Sequence, residues 1–216
     1  MSCFNCTAIC VNRALETKGY LVDVNSLVSE LLRDKPFFEE SGGGVTLSGG
    51  EPLAQPDFAA SLMLSLRENG INTCVETCAC ASLEALKKVI PHADLIYCDI
   101  KHADDSKHRK FTGAGTQSIF CNLAYMLSKN SNVIVRIPVI PGFNHDPESM
   151  QAIAGRLARI GVKKVELLPF HQFGEAKYGS LFRVCETAGT RQLLYEDIAC
   201  HRSIFTSHDI KVLSGG

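Results

Sequence analysis

Short β-branched and aliphatic runs alternate along the chain with longer stretches in which apolar positions recur every three or four residues. The short runs are Val45 to Ser48, Asn72 to Glu76, Leu95 to Ile100, Val133 to Ile140, Lys164 to Pro169 and Ile210 to Leu213, and each is predicted as a strand. Gln55-Pro56-Asp57 opens a helix that carries Phe58, Leu62 and Leu66 on one face and stops at Gly70. Ser82 opens another that ends before Pro91. Asp146-Pro147 caps a third, with Met150, Ile153, Leu157 and Ile160 facing inward and Gly161 at its C-terminus. Two less sharply bounded helices follow Gln117 and Thr190, and one lies near Asn25 to Arg33, ahead of the first strand. Strand-then-helix units repeated in this way predict an α/β fold: a parallel sheet with helices packed outside it, as an open doubly wound sheet or as a barrel.

Composition narrows the field of functions. At 216 residues the chain fits one ordinary domain, and 45% hydrophobic with 21% charged residues is globular usage, not that of a disordered or fibrous chain. Lys plus Arg (22) nearly balances Asp plus Glu (23), so the net charge of -1 gives no electrostatic ground for a nucleic-acid or anionic-membrane partner. No apolar run reaches the length of a membrane span, and the opening MSCFNCTAIC lacks the basic start and long apolar centre of a signal peptide, so the expected compartment is the cytoplasm. There, clustered cysteines point to metal or redox chemistry more than to disulfides. The chain has 10 Cys, with Cys3, Cys6 and Cys10 crowded at its start. Cys98 and Cys121 lie in apolar surroundings and are expected to be buried structural thiols, a reading that also suits Cys185 and Cys200.

Polar residues gather where strands end. Gly49-Gly50-Glu51-Pro52 follows the first strand, Glu76-Thr77 ends the second, and Asp99 and Lys101 end the third. The fourth carries Arg136 and Pro138 ahead of Pro141-Gly142, and the fifth ends in Pro169-Phe170-His171. Parallel α/β folds bring the C-terminal ends of their strands to one face, where ligands bind. A zwitterionic small molecule suits this set. Carbonyls near Gly50 and the Glu51 carboxylate can accept from an ammonium, while Lys101 or Arg136 can hold a carboxylate. Gly49 and Gly50 allow close backbone approach, whereas Gly42 to Gly44 read as a flexible turn.

The phrases SGGGVTLSGGEPL, TCVETCA, YCDIKHAD, VIVRIPVIPGFN and VELLPFHQFGEAKYGSL, in this order, resemble the activating enzymes of glycyl radical enzymes, the pyruvate formate-lyase activase group of the radical S-adenosylmethionine (SAM) superfamily. The resemblance runs from about Cys3 to the closing KVLSGG. It implies a partial (β/α)6, TIM-like barrel, here lacking its first βα unit. It also implies a [4Fe-4S] cluster, SAM, and an oxidoreductase that cleaves SAM to a 5′-deoxyadenosyl radical and takes hydrogen from a glycine of a partner enzyme. The implied partners are a pyruvate formate-lyase-like glycyl radical enzyme and a flavodoxin or ferredoxin electron donor, with no nucleic acid and no membrane.

Carried over by position, the resemblance sets Gly49, Gly50 and Glu51 at the SAM amino group, Lys101 at its carboxylate within the Asp99-Ile100-Lys101 strand end, and His171 at the nucleoside. Arg136 would support the carboxylate and the target peptide. Glu76 and Thr77, with Asp99, match an Asp-Thr pair that can hold a monovalent cation, Glu being one methylene longer than Asp.

The family's C-x3-C-x2-C triplet does not occur in these residues. Three such thiolates leave one iron open for SAM. Cys3, Cys6 and Cys10 instead match the last three members of a ferredoxin run, C-x2-C-x2-C-x3-C-P, with Val11 in place of Pro. Residues 1–21 are thus expected to be the remnant of a ferredoxin-like insert that would carry a second [4Fe-4S] cluster, and residues 22–216 the barrel, from its second strand onward. Cys3, Cys6 and Cys10 are either metal ligands or unligated thiols. TLSGGE resembles an ABC ATPase signature, but the G-x4-GK[ST] loop such an enzyme needs is missing. The alternative to an active enzyme is a truncated, catalytically dead fragment that keeps only a SAM-binding surface. Without a preceding strand, Val45 to Ser48 would be an unprotected sheet edge.

Overall fold

In a computed structural model, residues 5–17, 19–130 and 132–213 are described. Six strands, β1 (Gly44–Leu47), β2 (Asn72–Thr77), β3 (Leu95–Asp99), β4 (Val133–Val139), β5 (Lys164–Pro169) and β6 (Lys211–Leu213), form one parallel sheet in chain order. Among the described residues β1 pairs only with β2 and β6 only with β5, so the sheet does not close. The helices are α1 (Asn5–Ala8), α2 (Val24–Leu31), α3 (Lys35–Ser41), α4 (Pro56–Glu68), α5 (Leu83–Val89), α6 (Asp105–Thr112), α7 (Gln117–Lys129), α8 (Pro147–Arg159), α9 (Glu175–Ser180), α10 (Tyr195–Ile198) and α11 (Arg202–Thr206). This is the α/β fold with a parallel sheet that the alternation of elements predicts, and of the two forms left open there it is the unclosed, partial barrel that the resemblance implies.

Alternation along each strand decides which residues reach ligand and which reach core. In β4, Val133, Val135, Ile137 and Val139 are buried against the helices, which leaves Ile134, Arg136 and Pro138 on the concave face. The helix-facing side chains join Met63, Leu86, Leu123, Met126, Met150 and Leu157, all 0% exposed, in one core. Each such side chain contributes about 1.5–3 kcal/mol by leaving water. A second cluster, Val28, Leu62, Leu66 and Ile71, ties α2 to α4 behind β1. The caps fall where the sequence places them. Ser82 and Asp146 accept from the backbone amides of Ala85 and Ser149, three residues on.

Several expectations change. Gly42 to Gly44 are not a loose turn: Gly42 ends α3 at φ 65°, and a Cβ on Gly44 would lie 2.1 Å from the Asn72 carbonyl, inside the β1–β2 pairing. The helix expected after Thr190 is instead the two short helices α10 and α11. The polar stretch Asp105–Thr112 forms α6, in which only His108 is buried, so its sequence has no apolar stripe to announce it. Cys98 is fully buried as expected, but Cys121 and Cys200 are exposed and Cys185 is half-buried. Cys121 lies on a face of α7 away from its buried residues Phe120, Leu123 and Met126.

Of the three clustered cysteines, Cys3 lies outside the described residues. Cys6 is exposed in α1, a single turn that buries nothing, and Cys10 follows it at intermediate exposure.

Candidate functional site

The parallel order brings the ends of β1 to β5 to one face, and four charged side chains meet there. Arg136, on the concave face of β4, donates through Nη1 to Glu76 Oε1 at 2.8 Å and through Nε to Asp99 Oδ1 at 3.3 Å. Its guanidinium carbon sits 4.7 Å from the ring centre of Tyr97, a cation–π distance. Lys101 Nζ lies 3.5 Å from Asp99 Oδ2, and the Ser48 hydroxyl donates to Glu76. Burial works against ionisation of Glu76, but hydrogen bonds from Arg136 and Ser48 outweigh it and hold its carboxyl below the usual carboxylate range. Burial likewise opposes the Arg136 charge, and its two carboxylate partners outweigh that effect. Two acids and two bases thus balance at a partly exposed rim.

Glu51 is built into this rim differently. Its Oε1 accepts from Leu53 N at 3.1 Å and from the Thr77 hydroxyl at 2.7 Å, and its Oε2 accepts from Cys78 N at 2.9 Å and the Cys78 thiol at 3.1 Å. A carboxylate offers about four lone-pair positions, so these donors saturate it. Glu51 is therefore a clamp between the end of β1 and the turn after β2. That turn is tight. Ala79 has φ 57°, donates to the Thr77 hydroxyl oxygen at 2.9 Å and offers its carbonyl to Asn122 at 2.8 Å. Burial, and then the Glu51 carboxylate beside it, push the Cys78 thiol up to about 11, so it stays protonated.

The expected residues are thus divided. Gly49, Gly50, Glu76, Asp99, Lys101 and Arg136 come together at the rim. Thr77 is 3% exposed and turned onto Glu51, and Ile100, 1% exposed, points into the core, so it gives the rim only its backbone. Glu76, Thr77 and Asp99, implied as cation ligands, already have protein partners here. His171, past the end of β5, is exposed and stacks on Phe173 at 4.5 Å, and among the described residues it makes no bond to the charged network. Sequence reasoning missed Ser48, Cys78, Tyr97 and Asn144, whose roles depend on packing across strands. A cavity of about 230 Å³ adjoins the rim between Cys78, Cys80, Asp99 and Lys101 on one side and His108 and Thr112 of α6 on the other.

Residues 4–153 match the profile of the Radical SAM superfamily. The chain belongs to that superfamily. Within it, the chain groups with the activating enzymes of glycyl radical enzymes. It is 41% identical over 180 residues to the isethionate sulfite-lyase activating enzyme of Oleidesulfovibrio alaskensis, covering 82% of this chain and 58% of that protein. It is 35% identical to the trans-4-hydroxy-L-proline dehydratase activating enzyme of Clostridioides difficile, covering 95% of this chain and 69% of the relative. It is 33% identical to the pyruvate formate-lyase 2-activating enzyme of Escherichia coli, covering 96% and 71%. A solved domain of a pyruvate-formate lyase-activating enzyme from Bacteroides vulgatus superposes with a TM-score of 0.66 at 26% identity, covering 81% of this chain and 99% of that one. The chain spans only 56–58% of the length of the first three curated relatives it matches.

The superfamily implies SAM and a [4Fe-4S] cluster, and the residues answer differently for each. A Cβ on Gly49 or Gly50 would meet nothing within 4 Å, so open space lies in front of this backbone, and Gly49 reaches φ 107° to present it. The carbonyls of Gly49 and Gly50 accept no backbone hydrogen bond from the described residues, whereas the Glu51 carbonyl accepts from Ala54. Carbonyl acceptors beside a lysine ammonium and an arginine fit the amino and carboxylate groups of SAM. The cluster does not fit. The C-x3-C-x2-C triplet is missing from the 216 residues, and among the described residues no group of three His, Cys, Asp or Glu is placed to hold a metal. No part of the chemistry is assigned to a cluster on these side chains.

Proposed function

We propose that the rim of Gly49, Gly50, Asp99, Lys101 and Arg136 binds SAM, and that the protein is an activating enzyme that uses SAM to remove hydrogen from a glycine of a glycyl radical enzyme. When bound, SAM supplies the radical source for that reaction. The observation that carries the reading is the saturated Glu51 clamp. It fixes the Gly49-Gly50 backbone at the rim while leaving both carbonyls open to an ammonium. Lys101 pairs with the carboxylate, and Arg136, tied to Glu76 and Asp99, keeps the rim charge fixed beside it. His171 serves the nucleoside end, and the Glu76, Thr77 and Asp99 group remains the place where a monovalent cation would be sought. Residues 1–21 correspond to a ferredoxin-like insert. The partner is a glycyl radical enzyme of the pyruvate formate-lyase-like kind, with flavodoxin or ferredoxin as electron donor, in the cytoplasm.

Isothermal titration of the full chain with SAM tests this reading. Saturable binding is expected, weakened about tenfold or more by Lys101→Ala, since a charge-assisted hydrogen bond contributes about 1.5–3 kcal/mol. No binding, or equal binding by the variant, overturns it.

A further inference from the structure

Proline in a central strand removes a rung from the ladder on the side it faces. In β4, Arg136 points its backbone toward β3 and accepts from Ile100 N at 2.9 Å. Two residues on, Pro138 faces the same neighbour, and the next parallel rung would need the N–H it lacks. The β3–β4 pairing therefore stops just where β3 delivers Lys101. A side chain from beyond the strand takes over. Asn144, 0% exposed, donates through Nδ2 to the carbonyls of both Lys101 and Pro138 at 2.8 Å, and its Oδ1 accepts from Ile140 N at 2.7 Å. Its neighbour Phe143, 5% exposed, packs between His102 at 5.1 Å and Phe111 at 4.5 Å, ring centre to ring centre. The buried amide thus bridges the two strands one residue past their last rung, through the carbonyls of Lys101 and Pro138.

We propose that Asn144 is a positioning residue for SAM: it holds the main chain of Lys101 where the ammonium meets the ligand's carboxylate. This rests on the reading that the rim binds SAM. Asn144 touches no ligand and acts through Lys101. A shift of one main-chain carbonyl at Lys101 moves Nζ on its long side chain away from Asp99 and the rim, whereas Gly49 and Gly50, on another strand, stay where they are.

The test is a double-mutant cycle read by isothermal titration of the full chain with SAM, with a thermal melt of each variant. Asn144→Ala and Lys101→Ala are each expected to weaken binding about tenfold. The double variant is expected to bind no more weakly than Lys101→Ala alone, because placement no longer matters once the ammonium is gone. A purely structural role would lower the melting temperature and weaken binding by the same factor in both backgrounds. Wild-type affinity in Asn144→Ala, or a loss that multiplies in full onto that of Lys101→Ala, overturns the proposal. Where Asn144→Ala does not fold, Asn144→Ser keeps one donor and carries the same cycle. Adding Pro138→Ala to Asn144→Ser restores a backbone donor facing the Ile100 carbonyl, one residue before Lys101, and recovery of part of the lost affinity is expected; no recovery counts against the argument that the missing rung makes the Lys101 main chain depend on Asn144. If the wild-type chain binds no SAM, the site reading itself has failed, a result separate from any pattern among the variants.

Discussion

Glu51→Ala separates a clamp from a ligand. The substitution removes the acceptor for Leu53 N, the Thr77 hydroxyl, Cys78 N and the Cys78 thiol. Water can reach some of these donors, but Thr77 is 3% exposed and its hydroxyl has nowhere else to turn. A buried donor left unmet costs about 1–3 kcal/mol. Counting the Thr77 hydroxyl at about 2 kcal/mol and the half-buried Cys78 amide at about 1 kcal/mol gives a loss of about 3 kcal/mol. For a chain of this size each kcal/mol moves the midpoint by about 2–4 °C, so a fall of about 6–12 °C is expected by scanning calorimetry. Glu51→Gln keeps one acceptor oxygen but turns an amide NH2 donor toward the donors of Cys78, and should lose about half as much. The same variants should make Cys78 react faster with an alkylating agent at mildly alkaline pH, because the carboxylate that helps hold its thiol protonated is gone. A melt unchanged in Glu51→Ala, together with loss of SAM binding, would show the carboxylate to be a free ligand and not a clamp.

Removing Arg136 leaves Glu76 and Asp99 without their shared partner. Arg136→Ala should cost about 2–3 kcal/mol, less than the ~3–5 kcal/mol of a fully buried pair because the rim is partly wet. The pH dependence has a definite sign. Glu76 is held below its ordinary value near 4.5, so it contributes stability above that value which is lost as pH falls through the lowered one. Thermal melts between pH 3 and 6 (about) should therefore show a shallower acid loss in Arg136→Ala than in the wild type. Two glycines should respond in opposite ways. Gly44→Ala drives a methyl into the Asn72 carbonyl and should unfold the β1 edge, seen as loss of amide protection in hydrogen exchange, whereas Gly50→Ala should leave the melt unchanged and weaken SAM binding by filling the space before the backbone.

Much of this was legible in the residues, and the boundary is instructive. The β5 run, Lys164–Pro169, and the α8 start at Asp146-Pro147 coincide with prediction because apolar alternation and capping chemistry agree there. The rim was legible because charged residues at successive strand ends share a face in any parallel sheet. Helix α6 was not, since DSKHRKFT has no apolar face and is held by Asp104 capping Lys107 N and by Asp105 bonding Thr116. The helix expected after Thr190 follows a long irregular stretch, and its apolar residues Leu194 and Tyr195 stay exposed. Within the site, the roles that escaped are those in which one rim residue is used by another: Glu51 spent on Thr77 and Cys78, and Asn144 bonding the carbonyls of Lys101 and Pro138 just past the last β3–β4 rung. A signal for the second existed. A proline inside a strand next to a strand-end lysine calls for a replacement donor, and the Pro141-Gly142-Phe143-Asn144 turn supplies one.

A crystal structure of the full chain with SAM decides whether this rim holds the ligand. The ligand's ammonium is expected against the Gly49 and Gly50 carbonyls and its carboxylate within hydrogen-bond reach of Lys101, with Glu51 still bonded to Thr77 and Cys78. Ligand bound elsewhere, or a Glu51 carboxylate released from its clamp to grip the ammonium, would contradict this arrangement.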